Sequence, residues 1–256
     1  MKVNFIIKGR LGNAIFRYLA SSLLCIYFNG EYVINEIQSN NCSDEDFCLL
    51  FNNSIKNTNI NSLNMIGFYQ YDTIYRKNKN LIIDFIKNHP SHYVLTDGIN
   101  AGDGNLEKFF IKDILYIPVS FTKKYKNVLH IRLGDYISHN WFVPFERIIN
   151  LLEKNIIEGE LCIVNDLLKT DFEKKYLLII TEYLKNKNIN VIIESNNILT
   201  DYYIMKEAEI LICSRSTISW CAAFFSDKIK YCYFPDYDTE SCSMKYKNPT
   251  DNTILY

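Results

Sequence analysis

Between residues 128 and 234, short runs rich in β-branched and aliphatic residues alternate with longer amphipathic ones, a pattern that a parallel sheet covered by helices satisfies. Strands are predicted at residues 128–131, 161–164, 190–193, 210–213 and 231–234, with helices near 144–154, 171–185, 201–207 and 218–225. The first half opens the same way. Residues 3–7 read as a strand, 9–12 as a tight turn and 13–28 as a long helix with an apolar face. The expected architecture is therefore α/β, with two Rossmann-like domains at 1–118 and 119–256 and a linker near 116–126, where Pro118, Lys123, Lys124 and Lys126 interrupt the pattern. From about 40 to 104 asparagines are frequent and no element stands out.

Composition narrows the classes. Hydrophobic residues make up 48% of the 256, enough for a real core. The 28 basic and 29 acidic residues leave a net charge of −1, which excludes a global field for nucleic acid; any anion must be held locally. The segment from Met1 to Phe5 lacks the charged and apolar regions of a secretory signal. The apolar stretch at 19–28 contains polar residues and falls short of the roughly 20 residues that span a bilayer. A cytoplasmic protein with no transmembrane segment is expected, and the Asn, Ile and Lys bias suits an AT-rich bacterial or viral source. The eight cysteines include no CxxC pair, so reduced, buried thiols are expected rather than a metal site.

Three segments could carry chemistry. The first is His130-Ile131-Arg132-Leu133-Gly134-Asp135-Tyr136, at the C-terminal end of a predicted strand, the edge where open α/β sheets bind ligands. Arg132 can offer a planar fork of donors to a diphosphate, each charge-assisted bond contributing about 1.5–3 kcal/mol. Gly134 allows a tight turn. A salt bridge between Arg132 and Asp135 with a turn glycine explains the same residues equally well. The second, Ser214-Arg215-Ser216-Thr217-Ile218-Ser219, follows a strand and opens a helix, which reads either as a phosphate site or as simple capping. The third, Gly9-Arg10-Leu11-Gly12-Asn13, matches neither the dinucleotide fingerprint nor the Walker pattern. Asp201 reads as an N-cap or a ligand contact. Asp236-Tyr237-Asp238 has the form of a metal-binding DxD, yet its place after the final predicted strand makes it a surface loop. His89, His92 and His139 show no ligand spacing and read as exposed.

Taken in order, these segments resemble glycosyltransferase family 11, the α-1,2-fucosyltransferases. Residues 9–18 are similar to that family's opening GGLGNQMFQYA, and Gly67-Phe68-Tyr69-Gln70-Tyr71 to its GYFQS. Residues 130–136 resemble HIRRGDY, and residues 212–220 resemble ISNSTFSWW. The resemblance spans about residues 3–226 and implies a GT-B fold with two domains facing a cleft, an N-terminal acceptor side and a C-terminal donor side. It implies transfer of L-fucose from GDP-fucose, with inversion and without a metal, to the 2-hydroxyl of a galactose-type residue in an oligosaccharide acceptor. Carried over residue by residue, it has Arg132 neutralise the departing GDP; Asp135 is the candidate catalytic base because it lies beside Arg132, with orientation of that arginine as its alternative role. Donor contacts fall to Gly9, Gly12, Asn13, His130, Arg132, Gly134, Asp201, Ser214, Ser216, Thr217 and Ser219, and acceptor contacts to Tyr69 and Gln70. No metal ligand or cofactor is implied. The chain departs from the pattern at Ala14, Ile15, Arg17, Leu133 and Cys221, which leaves the sugar open. A different GDP-linked deoxysugar, or an inactive carbohydrate-binding homologue, is the alternative; a metal-dependent enzyme would lose its activity to EDTA.

Overall fold

A computed structural model describes residues 1–5, 9–34, 40–52, 61–97, 106–154, 156–236 and 247–256. The chain divides into two compact units, Met1–Pro118 and Val119–Tyr256. Residues 116–126 carry neither helix nor strand.

In the first unit the order is β1 (Lys2–Phe5), α1 (Leu11–Phe28), β2 (Glu31–Ile34), β3 (Asn41–Cys42), α2 (Asp44–Asn52), β4 (Ser62–Met65), α3 (Asp72–Lys77), α4 (Lys79–Asn88), β5 (Tyr93–Asp97), β6 (Leu106–Phe110) and α5 (Ile111–Leu115). Four strands form a parallel sheet in the order β2-β1-β4-β3, and β5 pairs with β6 as a separate antiparallel ribbon. The helix α1 begins at Leu11, so Gly12 and Asn13 belong to its first turn and not to the preceding loop. It is buried on nearly every side, with Ala14, Phe16, Tyr18, Leu19 and Leu23 all inaccessible. By length and composition α1 could cross a bilayer, which the shorter stretch read from the sequence understated; 78% of it is buried inside the protein.

The second unit runs β7 (Asn127–Ile131), α6 (Asp135–Ser138), α7 (Phe145–Leu152), β8 (Glu160–Asn165), α8 (Asp171–Asn186), β9 (Asn190–Glu194), α9 (Ile198–Glu207), β10 (Ile210–Ile212), α10 (Thr217–Phe225), β11 (Tyr231–Phe234) and β12 (Thr253–Leu255). All six strands are parallel, in the order β12-β11-β10-β7-β8-β9. Counted from β9, the unit's third, second and first strands are followed by its fourth, fifth and sixth, which is the doubly wound Rossmann order. The side on which successive strands are added therefore switches between β7 and β10. The strand β12 has no counterpart in the sequence reading.

Alternation along β7 sets its two faces. Leu129 and Ile131 join the core made with Ile148 and Leu151 of α7 and Tyr176, Ile180 and Leu184 of α8. On the other side α9 and α10 pack together and α9 meets β7. There Trp220 and Phe224 of α10 stack with centroids 5.0 Å apart, both fully buried.

Candidate functional site

The C-terminal ends of β7 and β10 lie side by side, because Ile210, Leu211 and Ile212 pair with Asn127, Val128 and Leu129. Each strand runs on into one of the segments singled out above. His130, the penultimate residue of β7, shares a 2.7 Å hydrogen bond with Ser214 just beyond β10. Burial pushes the His130 imidazole down to about 4, with Asp166 pulling it up and Arg132 pushing it further down. His130 is therefore neutral at physiological pH, and its Nδ1 needs the partner that Ser214 provides.

Beyond Ile131 the chain turns through Gly134, whose φ of +51° and ψ of −122° favour glycine; an added Cβ would meet nothing within 4 Å, so the demand is conformational. Gly134 does not offer its N–H to a ligand, because that group donates to Glu173 Oε1 at 3.1 Å. The Arg132 side chain is only 10% exposed and its fork is divided: Nη2 donates to Asp135 Oδ1 at 2.6 Å and Nη1 to Asp166 Oδ2. Its guanidinium lies 5.4 Å from the ring centroid of Tyr136. Sequence reasoning missed Asp166. The signal was there, since Asp166 follows β8 directly, at the same sheet edge that drew attention to Arg132.

At the end of β10, Ser216 occupies the N-cap position of α10 with extended backbone, and its side chain makes no capping bond. The capping interpretation therefore fails for Ser216, and the first-turn N–H groups of α10 keep their capacity for an anion. Thr217 opens the helix and is almost buried. Ser219 differs from the expectation: it is fully buried, and its hydroxyl donates to the carbonyls of Ser216 at 3.0 Å and Ser214 at 3.4 Å, so it braces the turn instead of facing a ligand.

Asp201 is not an N-cap. The helix α9 starts three residues earlier, capped by Asn197, whose side chain accepts from the Thr200 N–H at 2.9 Å. Asp201 reaches back to accept from Asn196, at 3.2 Å from its backbone nitrogen and 3.0 Å from Nδ2. Burial raises its pKa to about 6 against the pull of those bonds, and the charges of Asp166 and Glu194 raise it further.

In the first unit the segments also meet, with one correction. Gly9 has φ +84°, and a Cβ there would stand 2.9 Å from Asn13 Nδ2. Gln70 Nε2 donates to Asn13 Oδ1 at 3.1 Å, which brings the expected acceptor residue against the opening motif. Tyr69 is instead a core residue: it is fully buried, its hydroxyl accepts from the Gly67 N–H at 3.0 Å and donates to the Cys42 carbonyl, and no polar atom remains for an acceptor. A Cβ at Gly67 would fall on the Asp44 carboxylate and displace it, and that carboxylate accepts from the N–H groups of Phe68 and Tyr69 at 3.1 and 2.6 Å.

Other expectations sort as follows. His92 is partly buried and bonded to the Tyr18 hydroxyl at 3.0 Å, and His89 bonds the Phe85 carbonyl at 2.8 Å, so neither is an exposed histidine; His139 is exposed and stacks on Trp141. The seven described cysteines are free thiols, all buried except Cys48. Asp236 accepts from Lys247 at 2.6 Å, and β12 follows it, so its loop does not end the sheet; Tyr237 and Asp238 lie outside the described residues.

No protein-family model and no curated protein matches the sequence. Among solved structures, the fold is similar to a mutant of Arabidopsis thaliana FUT1 in complex with GDP (TM-score 0.46, 9% identity, covering 87% of this chain and 68% of that one). It is similar also to POFUT1 in complex with GDP-fucose (0.41, 10%, 90% and 96%) and to E. coli heptosyltransferase WaaC with ADP (0.42, 9%, 100% and 92%).

Proposed function

We propose that this chain is an inverting glycosyltransferase that uses a GDP-linked sugar, with L-fucose as the sugar and a galactose-type 2-hydroxyl as the acceptor. The observation that carries the reading is the convergence of Arg132 and the uncapped N-terminus of α10 on neighbouring strand ends, joined by the bond between His130 and Ser214, where the strand order reverses. A guanidinium fork and the first-turn N–H groups of a helix that its N-cap side chain does not cap are complementary to a diphosphate. The sequence resemblance to family 11 supports the choice of fucose and GDP.

In this reading the donor belongs to the second unit and the acceptor to the first. Transfer passes through an oxocarbenium-like state, so the rate gain comes from stabilising the departing diphosphate and holding the acceptor hydroxyl in place. Arg132 and α10 supply the countercharge, with Ser214, Ser216 and Thr217 around the phosphates; no metal is required for that step. Asp135 pairs with Arg132 and serves to orient it, which makes it a weaker candidate for the base than its position in the motif suggested.

Calorimetric titration of GDP and GDP-fucose into the wild type and into Arg132→Ala, with EDTA throughout, tests this. Binding in the wild type that weakens about a hundredfold in the variant, equivalent to about 3 kcal/mol, is expected. A well-folded wild type that binds neither nucleotide would remove the donor assignment.

A further inference from the structure

Glu173 occupies the third position of α8, yet only part of its bonding serves that helix. Its Oε2 accepts from the N–H groups of Thr170 and Lys169, both at 2.6 Å, and Thr170 Oγ1 accepts in return from the Glu173 N–H at 3.2 Å, completing a capping box. Its Oε1 turns the other way and accepts from Gly134, 39 residues earlier, at 3.1 Å. One buried carboxylate, 4% exposed, thus gathers three backbone N–H groups from two segments. Burial alone would raise its pKa, but the bonds from Thr170, Lys169 and Gly134 outweigh burial and hold it below the ordinary glutamate value.

Gly134 is the pivot of the turn that carries Arg132 on one side and Asp135 on the other, and its backbone takes a left-handed conformation. Glycine takes that conformation without strain but is free to leave it, so a partner for its N–H narrows the turn to one shape. We propose that Glu173 is a positioning residue of the donor site: it locks the turn at Gly134, so that Arg132, held at the end of β7, stays where its guanidinium can reach the diphosphate. This rests on the reading of Arg132 given above. The role requires a carboxylate, since both oxygens accept and an amide would set an N–H against an N–H.

The test is calorimetric titration of GDP into the wild type, Glu173→Gln, Gly134→Ala and Thr170→Ala, with thermal unfolding of each. Thr170→Ala removes half of the capping box and leaves the bond to Gly134, so it reports the helix effect alone. Glu173→Gln and Gly134→Ala are expected to weaken GDP at least about tenfold, and Thr170→Ala less than about twofold although it lowers Tm. Affinity in Glu173→Gln equal to that of the wild type, or weakened no more than in Thr170→Ala, overturns the proposal while leaving the donor assignment intact. Should Glu173→Gln not fold, Gly134→Ala decides, and unchanged affinity there overturns the proposal. A wild type that binds no GDP removes the donor assignment, and the proposal with it.

Discussion

Ser214 and His130 stand 84 residues apart in the chain and 2.7 Å apart in space, in a buried bond that ties the end of β10 to the end of β7. Because His130 is neutral and buried, its Nδ1 has no water to turn to if the partner is removed. Ser214→Ala is expected to lower unfolding stability by about 1–3 kcal/mol, the cost of an orphaned buried polar atom. Urea denaturation measures it, and a loss below about 0.5 kcal/mol would mean that the bond is not formed in solution.

Ser216 offers a case where stability and binding should move in opposite directions. A carboxylate at an N-cap bonds the first-turn N–H groups and favours the helix dipole, so Ser216→Asp is expected to stabilise by about 0.5–1 kcal/mol. The same charge would repel a diphosphate at α10, and GDP affinity should fall about tenfold or more. Thermal melts and calorimetry on one preparation check both; a rise in Tm with unchanged GDP affinity would place the phosphates elsewhere.

The acid at 201 is linked to pH through its raised pKa. The folded state holds the Asp201 proton up to about pH 6, whereas the unfolded chain releases it near 3.8. Stability from this group is therefore complete below 3.8 and is lost as pH rises through 6. Asp201→Asn removes that loss, so its advantage over the wild type should grow between pH 4 and 7 to on the order of 2 kcal/mol. Melts at pH 4.5 and pH 8 give the comparison, and an equal difference at both would argue against a buried acid here.

Gly67→Ala is expected to destabilise the first unit by about 1–3 kcal/mol, because the new Cβ cannot share space with the Asp44 carboxylate. Replacing Asp44 by alanine in the same background should cost little more, since the clash already breaks the bonds to Phe68 and Tyr69. Additive losses in the double variant would show that the two residues do not act together.

Much of the second unit was legible in the sequence because its strands are short apolar runs with helical periods between them, as at 128–131 and 161–164. The strand β12 escaped because Thr253-Ile254-Leu255 is three residues long at a sheet edge, too short to show a period. The first unit was obscured where asparagine-rich segments hide two-residue and four-residue strands such as β3 and β4. Arg132 and the serine run could be found from strand ends. Asp166 was open to the same reasoning, since it follows β8 directly; Glu173 and the burial of Ser219 and Tyr69 were not, because each depends on partners dozens of residues away or on which way one side chain turns.

Arg132 is met by two carboxylates of its own chain, Asp135 and Asp166. At the proposed donor site, an arriving diphosphate would compete with internal anions for the same fork, and association would be an exchange of counterions more than a neutralisation. Singly charged anions such as chloride should compete poorly, while a dianion that bridges both Arg132 and α10 gains from two contacts at once. The resident acids act as a threshold that sets which visitors can stay.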